Sequence, residues 1–173
     1  IATYLGTGVR LHELTEANMR DISTGASARL KVVGKGDKER WAPVPPEVVD
    51  VLSAFQETRR AKFPTIKVGP MSPLICNDDG KRLKDYQVQY IVTKVYEAAG
   101  VSAQKPSGAS VHALRHTCAT LMVAAKQPAT SVQGVLGHAS LATSQRYVKV
   151  TDDAIHEAAR SSAAMSALRR GEE

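Results

Sequence analysis

A chain of 173 residues is long enough for one domain with a sizeable buried core. Its 43% hydrophobic and 23% charged residues are ordinary for a globular protein, and no apolar run approaches a membrane span or opens the chain as a signal peptide. Lysine and arginine exceed aspartate and glutamate by 23 to 17, a surplus that suits a polyanionic partner without demanding one. Cys76 and Cys118 lack metal-type spacing and read as buried free thiols in a reducing cytoplasm. The opening residues, IATYLGTGVR, read as the middle of a helix, so a preceding domain is expected outside this chain.

Residues 1–22 read as a short helix, a turn at Gly6-Thr7-Gly8, and a second helix carrying Leu11, Leu14 and Met19, with Arg10 at its start. Residues 28–33 and 40–44 alternate as two strands of a hairpin whose turn, GKGDKE, presents Lys35 and Lys38. Pro45-Pro46-Glu47 opens a helix with Val48, Val51, Leu52 and Phe55 inward and a basic cluster from Arg59 to Lys62 at its end. A loop, a short strand at 73–75 and a turn at Asn77-Asp78-Asp79-Gly80 follow. Asp85 to Ala99 is amphipathic, with Val88, Ile91, Val92 and Val95 inward and Gly100 as its stop. No internal repeat or low-complexity segment appears.

After a polar loop, Ser110 can cap a helix with the stripe Val111, Leu114, Cys118, Leu121, Met122 and Ala125. His112 and Arg115, three apart, share one side of that helix and are expected at the rim of the core. His116 projects further toward solvent. Pro128 begins a short helix closed by Leu136-Gly137, and His138 follows. Residues 140–146 form another short helix with Tyr147 at its exit, and Thr151 caps an alanine-rich last helix over 151–170, suited to docking. His112 and His116 have the spacing of a zinc pair, but no HExxH motif or cysteine pair accompanies them, so no metal or other cofactor is expected. GKGDKE lacks Walker spacing, which removes a nucleotide cradle.

Taken singly, these residues fit structural roles. Together, TGVRLHEL, VVGKGDKERWAPVP, HALRHTCATL and VLGHASLATSQRYVKV resemble, in order and spacing, the catalytic domain of tyrosine recombinases of the phage-integrase and Xer type, over residues 1 to about 160. The resemblance implies a mainly α fold with a small antiparallel β hairpin or sheet (α+β), residues 1–173 forming the catalytic domain and 151–170 docking on a neighbour. It implies Arg10 and Arg115 clamping the scissile phosphate, Lys35 as general acid, His112 and His138 completing the ring, and Tyr147 as nucleophile. Glu13 would be a supporting carboxylate. Arg10, Lys35, Arg115 and His138 would contact DNA.

The chemistry needs these side-chain types. Attack on a phosphodiester builds negative charge, and guanidiniums offer planar, permanent, bidentate donors. A tyrosine, with an ordinary pKa of about 10, must shed its proton as it attacks. The departing 5′ oxygen needs a proton that a lysine can deliver. The implied activity is site-specific recombination through a 3′-phosphotyrosine on double-stranded DNA, with four protomers on the site and the last helix docking in trans, in the cytoplasm. The alternatives are a type IB topoisomerase activity or a DNA-binding module without chemistry.

Overall fold

A computed structural model describes residues 1–34, 36–101 and 110–137 of the chain, all within one unit, Ile1–Gly137. Helix α1 (Ala2–Thr7) stops at Gly8, whose φ of 61° is the left-handed conformation that glycine adopts without strain. Helix α2 (Leu11–Thr15) starts immediately after, with Arg10 at its N-cap. A 3-10 turn (Met19–Asp21) leads into strand β1 (Ile22–Ser23), which joins β2 (Arg29–Val33) and β3 (Glu39–Pro43) in an antiparallel sheet of order β1-β2-β3. The hairpin read from the sequence is present; the third strand, two residues long, has too short an alternation to announce itself. Residues 73–75 form no strand of their own but meet Asn18 in an isolated bridge at Pro73.

The register pairs Leu30 with Ala42, Val32 with Arg40 and Lys31 with Trp41. Leu30, Val32 and Ala42 are buried, so the sheet has an inner face, and Arg40 belongs to it by period two. Helix α3 (Pro46–Lys62) buries Val48 and Leu52 as expected, but Val51 is half exposed. Its inner row continues instead through Gln56 and Arg59, which donate to the carbonyls of Leu74 and Pro73 at 2.7 Å each. Arg59 is thus a buried clasp on the following loop rather than part of a solvated basic cluster.

Helix α4 (Asp85–Ala98) buries Val88 and Val92, while Ile91 and Val95 stay largely exposed, a narrower stripe than expected. Helix α5 (Ser110–Ala124) packs on α1 and α4. Its buried row is Val111, Leu114, Arg115, Cys118 and Ala119. Leu121, read as part of the stripe, is 61% exposed because it falls off that row. Cys118 is buried and Cys76 only partly so; both are free thiols. Helix α6 (Ala129–Leu136) follows Pro128 and ends at Gly137, φ 64°, where the sequence placed its stop. Among the described residues, no helix is long and apolar enough to cross a membrane.

Candidate active site

The turn between α1 and α2 is built around backbone, and it delivers Arg10. Gly8 has no room for a side chain: a Cβ there would lie 2.5 Å from Leu136 Cδ2. Two residues on, the Arg10 backbone N–H donates to Glu13 Oε2 at 2.7 Å, and its guanidinium pairs with Glu13 Oε1 at 2.9 Å. The Glu13 side chain is fully enclosed, whereas that of Arg10 is 39% exposed. The carboxylate therefore aims a cation from the core edge outward.

A second guanidinium reaches the same carboxylate. Arg40 Nη2 lies 2.9 Å from Glu13 Oε2, and Arg40 Nη1 donates to the Val135 carbonyl at 3.2 Å. Burial pushes the Glu13 carboxyl up, but the Arg10 N–H, the Arg40 charge and the Arg10 side chain outweigh it and hold it below its ordinary value. Burial draws the Arg40 guanidinium down, opposed by Glu13 and reinforced by Arg10. The sequence reading did not single out Arg40. The signal was available: it shares the parity of Ala42 and Val44, both buried, along an alternating strand.

Arg115 is 3% exposed, deeper than the rim position read from the helix pattern. It extends inward from α5 because two carbonyls wait there. Its Nη1 donates to Gly8 O, and its Nη2 to Leu136 O at 2.7 Å. One arginine thereby fastens the turn that carries Arg10 to the end of α6. His112, one turn earlier on α5, is exposed, and His116 is exposed beside Thr120, with Thr120 Oγ1 3.3 Å from its Nδ1.

Arg10, His112 and Arg115 line a single cleft of about 230 Å³ together with Val9, Leu11, His12, Gln89 and Val111. Three of the expected site residues converge there from α2 and α5, and Glu13 stands behind Arg10. His12 and Gln89 are lining residues the sequence reading passed over. Among the described residues no acidic side chain lines the cleft, so an oxyanion entering it meets guanidinium and imidazole donors without a competing carboxylate. The hairpin base also reaches the site, since a Cβ on Gly34 would lie 3.6 Å from Glu13 Oε1 and 4.0 Å from Arg10 Nη1. Lys35 follows Gly34 in sequence; Lys35, His138, Tyr147 and the helices read at 140–146 and 151–170 lie outside the described residues.

Residues 1–154 match the phage integrase family, and the chain belongs to that family. Its fold is that of the tyrosine recombinase catalytic domain, mostly helical with a small three-stranded antiparallel sheet. Tyrosine recombinase XerC of Pelobacter propionicus is 35% identical over 158 residues, 91% of this chain and 48% of the relative. Among solved structures, the XerH site-specific recombinase bound to a palindromic difH substrate, a post-cleavage complex, superposes with a TM-score of 0.72 at 27% identity, covering 92% of this chain and 44% of that one. XerA recombinase gives 0.71 at 29% identity, over 90% and 54%. The chain spans about half the length of the curated relatives it matches.

Proposed function

We propose that this chain is the catalytic half of a tyrosine-type site-specific recombinase that cuts and rejoins double-stranded DNA. The observation that carries the reading is the convergence of Arg10, His112 and Arg115 on one cleft free of acidic lining among the described residues. In the proposed reaction the Tyr147 oxygen attacks the scissile phosphorus, and the phosphorus–O5′ bond breaks. The phenol gives up one proton and the 5′ oxygen gains one from Lys35, so the step is balanced in protons. The 3′-phosphotyrosine conserves the bond energy, and attack by a new 5′ hydroxyl reseals the strand. Arg10 and Arg115 hold the non-bridging oxygens, His112 and His138 complete the donor ring, and Glu13 orients Arg10. Each such electrostatic stabiliser is worth on the order of 10²–10³ in rate.

The expected partners are a DNA recombination site and further protomers, four on the site, with residues 151–170 docking in trans. The proposed place of action is the cytoplasm. The test is covalent capture on a randomised library of nicked suicide duplexes. The wild-type chain should yield an SDS-stable protein–DNA adduct; Tyr147→Phe should yield none while still retaining duplex on a filter. Equal adduct from the Phe variant would remove Tyr147 as nucleophile, and retention without adduct from the wild type would leave a DNA-binding module.

A further inference from the structure

We infer that Arg40 is a positioning residue of this site, setting Arg10 through Glu13 and setting the end of α6 through the Val135 carbonyl. The inference rests on the recombinase reading above and extends it to a residue outside the clamp. Arg40 stands on the inner face of β3, and its guanidinium divides between two targets, Glu13 Oε2 at 2.9 Å and Val135 O at 3.2 Å. Its stem lies directly under the next turn, since a Cβ on Gly137 would come 2.4 Å from Arg40 Cδ and Nε. Gly137 is the residue before His138. One side chain thus joins the carboxylate that aims Arg10 to the helix end that leads into His138.

Stability alone is a poor reason for an arginine here. Its side chain is 18% exposed, and its Nε is buried with no hydrogen-bond partner among the described residues. An enclosed ion pair with an unsatisfied donor typically contributes less than an apolar side chain of similar volume. What the guanidinium supplies, and an apolar group cannot, is a fixed distance between two polar anchors. The charged side chains facing Glu13 are Arg10 on its own helix and Arg40 on β3. On α4, the nearby Asp85 carboxylate is engaged by the Thr15 hydroxyl at 2.6 Å, and on the hairpin Lys35 follows Gly34. With Arg40 gone, Glu13 keeps one cation instead of two and becomes easier to protonate; a protonated Glu13 releases Arg10.

The experiment compares wild type, Arg40→Gln, Glu13→Gln and the double variant in adduct formation, on a duplex recovered from the suicide library, across pH. Wild-type adduct that is lost in Tyr147→Phe establishes the underlying reading separately; without it that reading fails before Arg40 is tested. Given the adduct, Arg40→Gln should lower the rate at saturating DNA about 10- to 100-fold, the scale of a misplaced clamp, and change half-saturation less than about threefold. The acid limb of its rate profile should move to higher pH by about one unit. In the Glu13→Gln background the same change should cost less than about threefold, as expected of residues that act as a unit. An unmoved acid limb and an unchanged saturating rate, once corrected for folded fraction by urea titration, would overturn the inference. Should Arg40→Gln not fold, Arg40→Lys decides: it keeps the charge beside Glu13 but cannot span both anchors. A wild-type acid limb with a reduced saturating rate supports the inference, and a wild-type rate overturns it.

Discussion

Arg115 carries two duties that pull on one guanidinium. In the proposed reaction it holds a phosphate at the cleft it lines, and in the structure it donates to the carbonyls of Gly8 and Leu136. Those acceptors are enclosed, and removing their donor strands them at roughly 1–3 kcal/mol each. Arg115→Ala should therefore lower the unfolding free energy by about 2–6 kcal/mol in urea titration. A loss below about 0.5 kcal/mol would mean that the two carbonyls find other donors and that the residue serves the ligand alone. The neighbouring Cys118 thiol is pushed up by burial, with Arg115 opposing, and is a packing group rather than a nucleophile.

At the scale of elements, the close approach of β3 and α6 rests on one left-handed glycine, Gly137. At Gly137 an added Cβ would meet the middle of the Arg40 side chain at 2.4 Å, whereas at Gly36, also left-handed at φ 73°, it would meet nothing within 4 Å. Gly36→Ala should thus cost only the backbone preference, about 1–2 kcal/mol. Gly137→Ala should cost that plus a steric share, for a total of about 2–4 kcal/mol, read as a larger drop in urea midpoint. Equal losses would mean that β3 and α6 can part without penalty. Most element boundaries were legible in the sequence because caps and turns are local: Gly8, Pro46, Gly137 and the Asn77–Gly80 turn all act within a few residues. The face of each helix was less legible. Val51, Ile91, Val95 and Leu121 are apolar at plausible spacings, yet each stands largely exposed, so only part of the apolar set of each helix is covered. Arg40 and Arg59 escaped because a charged side chain reads as surface unless its partner, 27 residues upstream or 14 downstream, is already known.

For the whole molecule, the net charge of +6 and an arginine-lined cleft suit the proposed binding of DNA through its phosphates. Duplex binding by this chain should be weak and should fall linearly with log salt, with a slope steeper than about −2. A flat response between 50 and 200 mM, roughly the range over which such contacts weaken, would argue against phosphate recognition. That Arg10, His112 and Arg115 belong together was legible from the family resemblance, whereas the bonds that fasten them were not, because those bonds are long in sequence.

Those bonds join residues 107 and 95 positions apart, Arg115 to Gly8 and Arg40 to Val135. Contacts of that separation demand large loop closures and form late, after local helices and the hairpin exist. A nascent chain that has not yet reached Arg115 and Val135 would hold Arg10 without either tether. For a protein proposed to cut DNA, that is a safeguard written into topology: the proposed clamp of Arg10 and Arg115 is assembled only once the chain through α6 has been made and folded.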